Sequence, residues 1–144
     1  MRAPALAALV IAATFSLALA ACGGDGDGDE EADIRDDPEA VVKAYIRARA
    51  DCGAAAAGRT YDLVTGVRGV DSRDDYIERV VRDERANGCT PERVGELSTF
   101  VESRGEDQAV VEVRRTGGAQ GGGRQRIRLL RTEEGWKVDT GVGG

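Results

Sequence analysis

Hydrophobic positions change their spacing along the chain, and the changes divide it into parts. Residues 5–20 are almost uniformly apolar. From residue 38 onward, apolar side chains recur every three to four positions, which predicts amphipathic helices. After Pro91 apolar and polar positions alternate, which predicts strands. Helices followed by strands predict one α+β domain over residues 38–140.

Three helices are predicted in the first half of this domain. The first begins after Asp37, a suitable N-cap residue, with Pro38 in its first turn. The second covers residues 54–64, and the third begins after Ser72 and ends at Asn87-Gly88. Their apolar faces would pack against the sheet. In the first helix this face is Val41, Val42, Tyr45 and Ile46, and in the third it is Tyr76, Ile77, Val80 and Val81.

Four strands are predicted in the second half, connected as an antiparallel meander. In the second of them, Val111 and Val113 face one side, while Glu112 and Arg114 face the other. We therefore predict three N-terminal helices packed on a four-stranded antiparallel sheet. The strands cover residues 94–103, 109–115, 126–131 and 136–139, with turns at 105–107 and 133–135 and a glycine-rich loop at 117–123.

The apolar segment at residues 1–21 has the features of a signal peptide. Arg2 supplies a positive charge, and the 16 residues Ala5–Ala20 are fewer than the about 20 that a membrane-spanning helix needs. The segment ends Leu19-Ala20-Ala21-Cys22, which resembles the lipobox of bacterial lipoproteins. The resemblance implies a diacylglycerol on Cys22 and a chain anchored at the outer face of the cell membrane. The alternative is ordinary secretion with an unmodified Cys22.

The acidity of the chain is concentrated in a predicted linker at residues 22–37. The formal net charge is −6, yet residues 22–39 hold nine acids and one base, and residues 40–144 hold 17 acids and 18 bases. Repelling charges and several glycines predict a solvated tether. A calcium loop is the alternative, because Asp25, Asp27 and Asp29 have the spacing of its first ligands. Glu30 stands where that loop needs Gly, which favours the linker.

The three cysteines predict one disulfide bond. If Cys22 is lipidated, Cys52 and Cys89 remain as a pair in an oxidising compartment. A Cys52–Cys89 bond would join the end of the third helix to the end of the first. The alternative is a reactive or metal-binding thiol pair. The chain has neither the CxxC motif nor the His that such a pair would need.

The composition excludes several classes of function. The chain has no His, which excludes Ser-His-Asp and Cys-His catalysis and any metal site that needs imidazole. An acidic chain argues against nucleic acid as a partner. The loop at residues 117–123 lacks the phosphate-loop pattern GxxxxGK[ST]. We therefore predict no catalytic residue, no metal and no cofactor.

Three segments of the domain carry a family resemblance: PEAVVKAY at residues 38–45, YDLV at 61–64 and EGWKVD at 134–139. They resemble the nuclear transport factor 2-like superfamily, which includes SnoaL-like and lumazine-binding-like domains. The resemblance implies a curved, cone-like sheet whose cavity is closed by the helices. The candidate cavity-lining residues are Tyr45, Tyr61, Asp62, Tyr76 and Trp136. The alternative is that the aromatic side chains among them pack in the core.

These features together predict a membrane-anchored extracytoplasmic lipoprotein with a non-catalytic binding or envelope-associated domain. Its partner would be a small apolar ligand, a lipid or a protein. Two alternatives stay open. One is an isomerase- or hydrolase-type enzyme that uses the cone cavity, and the other is a structural domain that forms a homodimer through its sheet.

Overall fold

The computed structural model describes residues 34–117 and 123–141, and three helices precede four strands in it. The strands form one antiparallel sheet in the order β1-β2-β3-β4. The predicted α+β class, with three helices and a four-stranded meander, is therefore confirmed. The elements are α1 (Pro38–Ala50), α2 (Ala54–Asp62), α3 (Arg73–Asn87), β1 (Glu96–Arg104), β2 (Gln108–Thr116), β3 (Gly123–Thr132) and β4 (Gly135–Val138).

Helix α1 lies on one face of the sheet and forms the core with it. The Asp37 carboxylate accepts a hydrogen bond from the Glu39 backbone N–H at 2.9 Å, as expected of the N-cap that the sequence predicts. One stripe of the helix, containing Val41, Val42 and Ile46, is buried. The core side of the sheet supplies apolar residues at every second position, as strand geometry requires. These are Ala109, Val111, Val113, Ile127, Leu129, Trp136 and Val138.

Helices α2 and α3 form further layers beside α1. Helix α2 contacts both α1 and α3, and its buried residues Ala56, Ala57 and Gly58 are small. Helix α3 contacts chiefly α2, and none of its residues is fully buried. The expectation that all three helices pack on the sheet is therefore wrong for α3, which packs chiefly on α2. The apolar face of α3, from Tyr76 to Val81, is only partly covered.

The beginning of α2 and the end of α3 are joined by two interactions. Cys52 and Cys89 form a disulfide bond with a Cα–Cα distance of 6.1 Å, which confirms the predicted pair. Beside it, both Glu84 carboxylate oxygens accept from the Gly53 backbone N–H, at 3.0 and 3.1 Å. Gly53 is the N-cap of α2 and has no side chain to cap the helix. Glu84 from α3 therefore brings negative charge to the positive end of α2.

The sheet is open and is not strongly curled, which corrects the predicted cone-like curvature. The register of β1 against β2 shifts by one residue between Val101 and Ser103, forming a bulge at Glu102. At the opposite edge, Val64 forms a parallel bridge with Val138. The Thr65 N–H also donates to the Val138 carbonyl at 3.0 Å. The chain after α2 therefore covers the edge of β4.

The residues before α1 contact the turn between β3 and β4. The backbone N–H of Trp136 donates to the Arg35 carbonyl at 2.8 Å, and the Arg131 guanidinium pairs with the Asp36 carboxylate at 3.3 Å. Gly135 has φ +106°, and a Cβ built there would lie 2.6 Å from the Arg35 carbonyl oxygen. Glycine is therefore required at Gly135 for both conformation and space. The chain enters the domain at this end of the sheet, and Ile34 packs against the core.

Loss of the disulfide should destabilise the domain. The bond closes a loop between residues 37 positions apart, so loop-closure entropy gives about 4 kcal/mol of stabilisation. We expect Cys52→Ser/Cys89→Ser to lower the free energy of unfolding by about that amount, measured by urea titration.

The control for this prediction is the native chain, alkylated before and after reduction and weighed by intact-mass spectrometry. Labelling of Cys52 and Cys89 only after reduction agrees with the bond. Two labelled thiols in the oxidised protein, or equal stability of the double variant, would contradict it.

Candidate functional site

The five candidate cavity-lining residues do not share one cavity. Tyr45 lines a cleft between α1 and the sheet, whereas Tyr61 and Asp62 line a separate cleft beside β4. The Tyr76 ring lies against the Tyr61 ring, with centroids 5.6 Å apart. Trp136 is 1% exposed and belongs to the core. We therefore consider the two clefts separately.

The first cleft, which we call the α1–sheet cleft, lies at the C-terminal end of α1. Its volume is about 170 Å³. Ligand pockets commonly measure about 300–1,000 Å³, so this cleft suits a molecule of only a few non-hydrogen atoms. It is lined by Tyr45, Ile46, Arg49, Ala50, Glu92, Arg115, Gln125 and Ile127.

Helix α1 supplies the aromatic and one of the two cationic side chains of this cleft. Tyr45 and Arg49 are four residues apart and therefore lie on the same face of the helix. The Arg49 guanidinium donates to the Tyr45 hydroxyl at 3.2 Å and lies 5.7 Å from the centroid of its ring. This contact holds the guanidinium beside the cleft.

Strand register places polar side chains on the core side of the sheet. Arg115 has the same parity as Val111 and Val113, and Gln125 has the same parity as Ile127. Near the end of α1 the helix no longer covers the sheet. Arg115 and Gln125 consequently line the cleft instead of being buried under apolar side chains.

Glu92 reaches the cleft through the chain that follows the disulfide. Its backbone N–H donates to the Ala50 carbonyl at 2.7 Å, which attaches this segment to the last turn of α1. Its carboxylate lies 3.8 Å from the Arg115 guanidinium, an ion pair longer than a hydrogen bond. Arg49 forms no ion pair with any carboxylate of residues 34–117 and 123–141. The described lining thus carries two positive charges and one negative charge.

Tyr76 on α3 lies within electrostatic range of two residues of this cleft, Arg49 and Tyr45. Burial raises the pKa of the Tyr76 hydroxyl above its ordinary value, against the opposing effect of the Arg49 charge. Tyr45 raises the same pKa further. The hydroxyl therefore stays protonated at neutral pH and can donate a hydrogen bond.

The second cleft, of about 290 Å³, is lined in part by Tyr61, Asp62, Glu134 and Lys137. The Asp62 carboxylate accepts from the Arg73 Nε at 2.9 Å, and the Arg73 side chain covers Gly58. Lys137 pairs with Glu134. The Asp62 and Glu134 carboxylates are both engaged by cationic side chains, which does not favour a role as general acid or base.

Trp136 is held in the core by cations instead of facing a cavity. The Arg104 and Arg131 guanidinium groups lie 5.7 and 5.4 Å from its ring centroid, within cation–π distance. Its indole N–H has no hydrogen-bond partner among the described residues. Trp136 therefore has a structural role here.

The outer face of the sheet is charged. Glu112 is only 4% exposed and pairs with Arg114 at 2.7 Å and Arg124 at 3.3 Å. Arg126 pairs with Glu102, and Arg128 pairs with Asp139. Phe100 is the large apolar side chain exposed on this face, at 64%. Val110 and Leu130, also on this face, are half-buried.

Cys22 and the aspartates Asp25, Asp27 and Asp29 lie outside the described residues. Within the described part of the chain, no helix has the length and apolar character needed to cross a bilayer. Sulfur and oxygen atoms of Cys52, Cys89 and Glu84 approach to within 4.8 Å of one another. The disulfide occupies both sulfur atoms, and Glu84 accepts from Gly53, so this cluster is explained by structure.

Sequence reasoning missed the four polar residues that line this cleft beside Tyr45: Arg49, Glu92, Arg115 and Gln125. The strand pattern contained a signal for Arg115 and Gln125. The alternation that puts Val111 and Val113 on the core side also puts Arg115 there, and Gln125 shares that side with Ile127. A charged residue at a core-facing strand position indicates a partner or a cavity.

No family model, curated protein or solved structure matches this chain.

The outer-face carboxylate Glu112 should make stability depend on acid pH. The hydrogen bond from Arg114 holds the pKa of Glu112 below its ordinary value of 4.5, and the charges of Arg124 and Arg126 act in the same direction. Because the folded pKa is lowered, the stabilisation is complete above about 4.5 and is lost as the pH falls through the folded value. We expect Glu112→Gln to lower the free energy of unfolding at pH 7, and the difference from the native chain to shrink below pH 4.5.

Urea unfolding at several pH values measures this effect, with Glu96→Gln on β1 as the matched control. Glu96 is exposed at the start of the same face, so we expect a smaller loss there. A loss from Glu112→Gln that is the same at every pH would contradict the prediction.

Proposed function

We propose that this chain is a lipid-anchored extracytoplasmic lipoprotein whose folded domain binds a small ligand and does not catalyse a reaction. The anchor is supported by the sequence Leu19-Ala20-Ala21-Cys22 after an apolar segment. The binding function is carried by one observation, the α1–sheet cleft lined by Tyr45, Arg49 and Arg115. A concave site with several convergent polar groups is the usual form of a small-molecule site.

The position of the cleft agrees with an anchored domain. The chain that would lead to the membrane joins at Arg35 and Asp36, beside the turn between β3 and β4. Helix α1 begins next to it and contains 13 residues, so it is about 20 Å long. The cleft lies at the far end of α1. In an anchored chain it would therefore open away from the point of attachment.

The two alternatives receive less support. The enzyme alternative needs a carboxylate or tyrosine poised for proton transfer, whereas Asp62 is paired with Arg73. The homodimer alternative needs an apolar sheet face, whereas the outer face carries four arginines and one exposed aromatic ring, Phe100. We keep a relation to the nuclear transport factor 2-like superfamily as part of the proposal, without the cone-like curvature that the resemblance implied. Its support is the element order and the position of α1 on the core face.

The anchor is tested by removing the thiol of Cys22. We expect Cys22→Ala to move the expressed protein from the membrane fraction to the soluble or unprocessed fraction, because the acyl chains supply the membrane affinity. Detergent phase partitioning and metabolic labelling with a fatty-acid analogue measure this. Cys52→Ala is the control and should retain label. Label that persists in Cys22→Ala would contradict a lipid on that residue.

The binding function is tested by native mass spectrometry of the chain purified from membranes in a neutral detergent. We expect a population with one copurified small molecule per chain. Blocking the cleft with Gln125→Trp, at an exposed lining position, should remove that population without changing the helical circular dichroism signal. A bound molecule that survives Gln125→Trp would place the ligand elsewhere and contradict the proposal.

A further inference from the structure

The charges of the α1–sheet cleft indicate what kind of ligand it takes. Arg49 and Arg115 contribute two guanidinium groups, and Glu92 contributes one carboxylate. Like charges in a common cleft repel, and an anion between them removes that cost. A guanidinium presents several N–H donors in a planar fork that fits carboxylate and phosphate oxygens. The hydroxyl of Tyr45 and the amide of Gln125 add neutral hydrogen-bonding groups.

We propose that the α1–sheet cleft binds a small monocarboxylate through Arg49 and Arg115. This inference rests on the binding function proposed above and names its ligand class. The small volume of the cleft excludes a long acyl chain, and the polar lining disfavours the apolar ligand that the sequence led us to expect. Ile46 and Ile127 form the apolar part of the wall and would contact a short aliphatic group.

Glu92 selects between the two common oxyanions. It lies 3.8 Å from the Arg115 guanidinium and therefore repels any anion that binds there. The repulsion is greater for phosphate, which carries more than one negative charge at neutral pH, than for a carboxylate with one. Since the disulfide and the contact of Glu92 with Ala50 attach this segment to α1, the repulsion is built into the folded domain.

The position of the cleft supports a soluble source for this ligand. It lies at the end of α1 opposite the residues that lead toward Cys22. A ligand in the aqueous phase reaches that end directly. A long fatty acid would exceed the volume of the cleft.

The test uses the full processed chain in a neutral detergent and a buffer free of carboxylate and phosphate. Isothermal titration with propionate is compared with propionamide, its neutral isostere, and with inorganic phosphate. We expect propionate to bind, propionamide to bind at least about tenfold more weakly, and phosphate to bind more weakly than propionate. Loss of one hydrogen bond to a charged group corresponds to about that factor or more.

Variants assign the effect to the cleft. Arg49→Gln and Arg115→Gln should each weaken propionate binding at least about tenfold. Arg82→Gln on the exposed side of α3 is the matched control and should leave it unchanged. Arg115→Lys keeps the positive charge but lacks the planar fork, and it should give an intermediate loss of propionate affinity. This variant replaces Arg115→Gln in the test if Arg115→Gln does not fold. Glu92→Gln should strengthen phosphate binding relative to propionate.

Three outcomes would overturn the carboxylate assignment. They are equal binding of propionate and propionamide, no change in Arg49→Gln and Arg115→Gln, and phosphate preferred in the native chain. If a copurified molecule without an acidic group is displaced by Gln125→Trp, the carboxylate assignment fails while the proposed binding function stands. If neither a copurified molecule nor binding of any probe is found, both fail.

Discussion

The packing of α1 on the sheet is the interaction on which the rest of this structure depends. Val41, Val42 and Ile46 belong to the same buried cluster as Val111 and Leu129, and burial of such side chains stabilises by about 1.5–3 kcal/mol each. The other two helices have no comparable face. Helix α2 presents small side chains, and α3 has no fully buried residue. Both are therefore held in place through α1 and through local links.

The local links explain how a peripheral helix stays in position. The disulfide and the Glu84 carboxylate both act at the junction of α2 and α3, one covalently and one electrostatically. The same junction fixes the segment that carries Glu92 to the end of α1. Stability and the shape of the α1–sheet cleft are thus set by the same few residues. A change in this region would alter both together.

Sequence reasoning predicted the local features well because they are determined by short-range physics. The Asp37 cap, the alternation around Val111 and the Cys52–Cys89 pair all follow from neighbouring residues, from strand geometry or from cysteine pairing. The stacking of α3 on α2 could not be predicted, because an apolar stripe does not specify its partner. The cleft was missed for the same reason. Arg49 and Arg115 are 66 positions apart, and only the placement of α1 on the sheet brings them together.

The bulge at Glu102 has a consequence for how copies of the domain meet. Among the residues that the structure describes, strand β1 is the sheet edge with no further segment paired to it, whereas Val64 after α2 bridges to β4. A regular edge strand offers its free backbone groups to the edge of another molecule, which leads to aggregation. The bulge interrupts that row of groups. Copies of the domain at high local concentration would therefore be protected from sheet-to-sheet association.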